Sequence, residues 1–157
     1  MNSDRRMVTA GMGIRLAEST DRTVVEAIVR AAYEPWVSII GVEPLPLMAD
    51  YGALISGEQV YVLENGEVDA VIVLESGDGV LLVENVAVRP DRQGSGLGRR
   101  LMAFAEFRAR SLDLAAVRLY TNEKMISNIT LYESLGYRET GRELIDGRHA
   151  VHMRKDL

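Results

Sequence analysis

The feature that most constrains this chain is Arg92-Gln93-Gly94-Ser95-Gly96-Leu97-Gly98-Arg99-Arg100, a glycine-rich stretch set where one periodicity gives way to another. Before it runs an apolar β-like segment, Val80 to Val88. After it Leu97, Leu101, Phe104, Ala105, Arg108 and Leu112 recur at the spacing of one helix face. The glycines therefore sit at a strand-to-helix turn, and three of them in five residues allow the backbone to turn tightly. The first N–H groups of a helix lack intrahelical partners and carry the positive end of its dipole. Strand, loop and helix N-terminus together make an anion site suited to phosphate.

Which phosphate follows from the spacing. A P-loop ends in Gly-Lys-Ser/Thr, whereas this loop ends Gly98-Arg99-Arg100. A dinucleotide fingerprint needs G-x-G-x-x-G and an acidic residue about 20 positions on. Here the loop reads G-x-G-x-G, and the downstream region is Arg118-Leu119-Tyr120-Thr121. The pattern Gln93-x-x-Gly96-x-Gly98 instead resembles the pyrophosphate loop of the GNAT family of N-acetyltransferases, Q/R-x-x-G-x-G/A. Taken alone, the loop is also compatible with a plain glycine-rich turn.

At 157 residues the chain fits one domain, and its composition is that of an ordinary globular protein, 47% hydrophobic and 26% charged. No apolar run approaches the roughly 18 residues of a membrane span, and no signal peptide opens the chain, so no membrane partner is expected. The absence of cysteine excludes disulfides, thiolate nucleophiles and Cys-based metal sites, and is compatible with a cytoplasmic location. A net charge of −5 argues against broad nucleic-acid binding. The cations are 16 Arg and only two Lys, and Arg89, Arg92, Arg99 and Arg100 bracket the loop, where guanidinium forks suit a polyanionic ligand.

Residues 1–12 read as a flexible polar arm and 13–157 as a single domain. Gly13 to Ala17 predicts a strand. Ser19, Thr20 and Asp21 offer caps to a helix with Val25, Ile28, Val29, Ala32 and Trp36 on its face, ended by Pro35. Glu34 to Leu47 holds three of the four prolines and reads as an irregular apolar loop, either a lid over a substrate or a tucked core segment. A short helix, Met48 to Ser56, follows. Asn65-Gly66 between two β-rich runs is a hairpin signal, as is Asp146-Gly147 near the end. Strand 80–88, the helix after the glycines and a strand at Ala115 to Thr121 form a crossover unit, so the two strands are expected to be parallel. Fold class is α/β, a central mixed sheet of about six to seven strands flanked by about four helices.

A second motif lies on the helix predicted over Met125 to Leu135. Leu131-Tyr132-x-x-x-Gly136-Tyr137 is similar to the C-terminal GNAT motif, L-Y-x-x-x-G-F/Y. The two motifs come in the right order with the right elements between, so the chain is identified as resembling GNAT enzymes over residues 13–155. The resemblance implies the acyl-CoA N-acyltransferase fold. It further implies acetyl transfer from acetyl-CoA directly to a primary amine, with no covalent enzyme intermediate and no metal.

It also implies roles. Backbone groups of Val86, Ala87 and Val88 would pair with the pantetheine arm, and their N–H groups would polarise the thioester carbonyl. Gln93, Gly94, Ser95, Gly96, Leu97, Gly98 and Arg99 would hold the pyrophosphate. Tyr132 would protonate the departing thiolate, a suitable task for a phenol with an ordinary pKa near 10, or it is a tyrosine packed on the sheet. Many family members carry an Asn seven residues before that Tyr. Here the position is Met125, and Asn128, one turn before Tyr132, is placed to contact the CoA arm instead. Glu84 is the candidate base, or a paired structural glutamate. Strict alternation would set it on the face of Leu82 and Val86, with Asn85 pointing the other way as polar satisfaction at a strand bulge. Glu123 is a second candidate.

His149 and His152 are three apart on a predicted strand and make a poor metal pair. The acceptor is not legible beyond a small-molecule or peptide amine, shaped by the Trp36 loop, Tyr51 and the last hairpin. Apolar segments in the first third are compatible with a homodimer. The competing reading is a catalytically weak acyl-CoA-binding sensor or assembly module. A third is a nucleotide-binding α/β domain.

Overall fold

A computed structural model describes residues 13–157, so the arm expected over residues 1–12 lies outside the described residues. The elements are β1 (Ile14–Leu16), α1 (Arg22–Tyr33), α2 (Val37–Ile40), α3 (Tyr51–Ser56), β2 (Val60–Asn65), β3 (Glu67–Gly77) and β4 (Val80–Val88). They continue with α4 (Leu97–Ser111), β5 (Ala116–Asn122), α5 (Ile126–Ser134), β6 (Arg138–Ile145) and β7 (Arg148–Asp156). The strands form one mixed seven-stranded sheet in the order β1-β2-β3-β4-β5-β7-β6. Only β4 and β5 are parallel, as the crossover through α4 requires.

Both faces of the sheet are covered. Leu97, Leu101, Phe104 and Ala105 of α4 pack on Ile72, Leu74, Leu81, Val83 and Leu119, and Tyr132 of α5 joins this core. On the other face Val25, Ile28 and Val29 of α1, with Tyr51 and Ile55 of α3, pack on Val60, Val62, Val71, Val73 and Ala87. Residues 68–74 are buried throughout, the pattern of a strand sandwiched between two layers. The Asp78-Gly79 and Asp146-Gly147 turns each place both residues at positive φ, the geometry of a tight hairpin matched to strand twist.

Glu34–Leu47 is more regular than its prolines suggest. Pro35 ends α1 as expected but then sits in the first turn of a 3₁₀ segment, Glu34–Trp36, where its missing N–H costs nothing. The turn of α2 follows, closed by Gly41 at φ 88°, and a second 3₁₀ turn spans Leu45–Met48. The segment is pinned at several points. Lys124 Nζ donates to the Ile39 carbonyl at 3.1 Å, Arg148 Nε to the Glu43 carbonyl at 2.8 Å, and the Tyr51 hydroxyl to the Pro46 carbonyl at 2.6 Å. It therefore roofs the region where the β6–β7 hairpin meets the end of β5.

Candidate active site

The site originates in a register fault. β4 pairs with β5 only from Val80 to Val83, against Ala116 to Leu119, although β4 continues to Val88 and β5 to Asn122. On its other side β4 pairs Val83 with Leu74 and Asn85 with Val73, which leaves Glu84 as an extra residue. Such a bulge bends the strand and adds twist, and β4 parts from β5 at that residue. Beyond it, the Arg89 N–H bond to the Asp69 carbonyl (2.9 Å) sets the phase of the β3–β4 ladder. Hydrogen-bonded pairs alternate, so Ala87 turns its backbone to β3 while Val86 and Val88 turn theirs into the gap. Two side chains reach those carbonyls: the Tyr33 hydroxyl donates to Val86 O at 2.8 Å, and Gln93 Nε2 to Val88 O at 3.3 Å.

A groove of about 430 Å³ runs from this gap to the glycine loop. Gly94 and Gly96 stand at φ 84° and 85°, and Gly96 is the N-cap of α4. A Cβ at either would meet nothing within 4 Å. Conformation, rather than crowding, demands glycine there, and the loop amides are left open toward the groove. Gly98 differs, since a Cβ there would make an ordinary 3.6 Å contact with Leu131. The Ser95 hydroxyl turns back onto the Arg92 carbonyl. The arginines divide. Arg89 is engaged by Glu67, Asp69 and Asp91, and Arg92 lies 3.5 Å from Asp69, whereas Arg99 donates to the Ser134 hydroxyl at 3.2 Å and lines the groove. Arg100 reaches toward Gly13.

A second, smaller pocket of about 60 Å³ lies beneath the 34–47 roof, floored by Glu84, Tyr120 and Asn122 and walled by Arg148. Tyr33 and Met125 line both cavities and mark where they meet. The bulge corrects the alternation expected for β4. Asn85 belongs to the face of Tyr51, to whose hydroxyl its Nδ2 donates at 2.9 Å, and Glu84 interacts with Glu75 on that same face. Val86 instead packs with the α4 core. Burial and the neighbouring Glu75 carboxyl raise Glu84 from 4.5 to about 7.

Tyr132 is buried, packs edge-on against Tyr137 at 6.2 Å and borders the groove; burial pushes its phenol up to about 12. Asn128 lines the groove next to Met125, whose sulfur its Nδ2 approaches at 3.9 Å. Glu123 lies 3.6 Å from His149, and His152 lies 2.6 Å from Glu143. Among the described residues no cluster of three or more potential metal ligands occurs. None of their helices is long and apolar enough to cross a membrane.

Sequence reading missed Tyr33, which follows Val29 by one helical turn and so carried a signal in its spacing. It also missed Tyr120 and Arg148. Trp36, expected at the acceptor end, borders the groove instead, and Tyr51 lies under the roof as a support.

Comparison with known proteins agrees with this geometry. A family model of the acetyltransferase (GNAT) domain matches residues 56–139. No curated protein matches the chain. Among solved structures, the ribosomal-protein-S18-alanine N-acetyltransferase from Escherichia coli superposes with a TM-score of 0.73 at 22% identity, covering 91% of this chain and 92% of that one. The PaiA N-acetyltransferase from Thermoplasma acidophilum, in complex with coenzyme A, gives 0.77 at 16%, covering 92% and 98%. Ard1 from Thermoplasma volcanium gives 0.72 at 21%, covering 92% and 96%. These likenesses show the acyl-CoA N-acyltransferase fold. With more than half of its residues inside the family match, the chain belongs to the GNAT acetyltransferases.

Proposed function

We propose that this protein transfers an acetyl group from acetyl-CoA directly to a primary amine, in a ternary complex. The observation that carries this reading is the gap after Val83, which joins a phosphate-binding groove to an amine-sized pocket at Tyr33 and Met125. The groove fits the co-substrate at both ends. The open amides of Gly94 to Arg99 suit its pyrophosphate, with the Arg99 guanidinium beside them, and the Val86 and Val88 amides suit an extended amide chain laid in as a further strand. Asn128 stands along the same wall. The coenzyme bound in the PaiA structure supports this assignment.

Bound acetyl-CoA supplies the acetyl group in activated form, as a thioester. Glu84, at the floor of the smaller pocket, removes a proton from the ammonium of the acceptor, directly or through water. A carboxylate poised near neutrality does this well at physiological pH. The amine nitrogen then forms its bond to the acyl carbon as the carbon–sulfur bond breaks. An N–H in the Val86–Val88 segment stabilises the negative charge that develops on the acyl oxygen. Tyr132 donates its phenolic proton to the departing sulfur, and the second proton that the nitrogen sheds as the amide forms returns through solvent to restore the phenol. Similar structures are named for acceptors as different as a ribosomal-protein alanine and nourseothricin, so the fold alone does not fix the acceptor.

The test is release of free CoA thiol from acetyl-CoA across a panel of amines. Acceptor-dependent release supports transfer. CoA binding with no release above background for any amine would establish a binding module instead.

A further inference from the structure

The smaller pocket holds two charged side chains from opposite walls. Glu84 rises from β4 and Arg148 comes from the start of β7, with β5 between them supplying Tyr120 and Asn122. Most of the remaining lining is apolar, including Ile40, Leu45 and Ile145, with Tyr33 and Thr121 bringing hydroxyls. Among the described residues most arginines that make close contacts meet a carboxylate: Arg15 meets Asp21 and Glu64, Arg89 meets Asp69 and Asp91, Arg154 meets Asp156. Arg148 does not. Its Nε donates to the Glu43 carbonyl at 2.8 Å, its Nη1 to the Asp146 carbonyl at 3.1 Å, and its Nη2 lies 3.0 Å from the Met48 sulfur. All three acceptors are uncharged. They fix the guanidinium plane while, among the described residues, two of its five N–H donors stay unspent and no carboxylate lies within ion-pair distance.

We infer that the acceptor is a small amine that itself carries a carboxylate, an amino acid in the chemical sense, with its ammonium at Glu84, its carboxylate on Arg148 and an apolar side chain under the roof. This rests on the transfer reading above, and it deepens that reading by naming the acceptor class. A bidentate carboxylate–guanidinium contact supplies both strength and orientation, and it directs the amine end toward the junction at Tyr33 and Met125. A simple alkylamine leaves the Arg148 charge unmatched. A diamine brings a second cation toward it, a like-charge contact that costs affinity.

Three matched pairs test this: L-leucine with 3-methylbutylamine, L-methionine with 3-(methylthio)propylamine, and L-phenylalanine with 2-phenylethylamine. Each is assayed by thiol release and by calorimetric titration into the full chain saturated with CoA. For at least one pair the amino acid is expected to exceed its decarboxylated partner by about tenfold or more in kcat/KM and in affinity. Arg148→Met should collapse that ratio toward one, and Arg148→Lys, which keeps the charge but loses the fork, should restore part of it. Equal handling within every wild-type pair overturns the inference, as does an Arg148→Met loss that falls equally on both members, because Arg148 then only braces the roof. If no compound raises thiol release while titration still separates the pairs, transfer fails and the amino-acid pocket stands. If titration separates none, the pocket assignment fails by itself.

Discussion

Glu84 is subject to two influences that act in the same direction. The bulge places it beside Glu75, and burial together with that second carboxyl holds its proton to about pH 7. The rate limb belongs to the pair. With the base needed in its ionised form, kcat/KM is expected to rise tenfold per pH unit below about 7 and to level off above it. Glu75→Gln should move that limb to lower pH by roughly half a unit or more, since it removes the like charge; an unmoved limb would detach Glu75 from Glu84. Stability follows the same proton. The folded-state value lies above that of an unfolded glutamic acid, so folding takes up a proton between about pH 4.5 and 7, and stability falls as pH rises through that window. Glu84→Gln should therefore stabilise the protein above pH 7, by about 1 kcal/mol once solvent screening of this half-exposed group is allowed for. Melts at pH 5 and pH 8 measure it. Tyr132 shows the opposite use of burial. A phenol raised to about 12 stays protonated at every working pH, so no acid limb should appear below pH 10. Tyr132→Phe keeps the packing against Tyr137 and should lower kcat by roughly 10²-fold or less at unchanged CoA affinity. Full turnover in that variant would remove Tyr132 as the acid.

Within the elements, the glycine loop separates two uses of one residue type. Gly96→Ala should cost about 1–2 kcal/mol because φ 85° strains any side chain, while nothing nearby obstructs it. Gly96→Asp adds a negative charge at the proposed pyrophosphate subsite and should abolish CoA binding in a calorimetric titration. Gly98→Ala should bind CoA normally and gain about 0.5–1 kcal/mol, since it lies in the helix and meets only an ordinary contact with Leu131. Loop, helix and strand were legible because each is specified by neighbours in sequence: glycines for positive φ, an apolar stripe for α4, an apolar run for β4. The bulge was legible only through Asn85, a polar residue on an apolar strand; its extra residue, Glu84, was not, because it is set by a mismatch with β3, a partner chosen by tertiary pairing. Hence Glu84 was singled out by its chemistry, while Val86 and Asn85 were assigned to the wrong faces beside it. The helical turn after Pro35 was missed for a different reason, since proline stops a helix yet starts the next one equally well.

In the whole molecule, the parallel seam joins the β1–β4 half of the sheet to the β5–β7 half through only four residue pairs, and the groove opens directly beyond it. One wall of that groove, Val86 and Val88, belongs to the first half; the other, Asn128 and Tyr132, follows β5. A ligand lying in it bridges both halves, so CoA at about 100 times its Kd should add about 2.7 kcal/mol and raise Tm by roughly 5–10 °C. Truncations then distinguish the seam from the rest of the core. Leu119→Ala, at the last pair before the gap, should cost about 2–5 kcal/mol and also shrink the CoA-induced rise in Tm, because the spacing of the groove walls depends on that pair. Ile55→Ala, in α3 on the opposite face, should cost a similar amount yet leave the CoA-induced rise intact. Thermal melts of both variants with and without CoA decide between them. Equal ligand-induced shifts would mean that the gap is held open by the bulge alone, independently of the seam that precedes it.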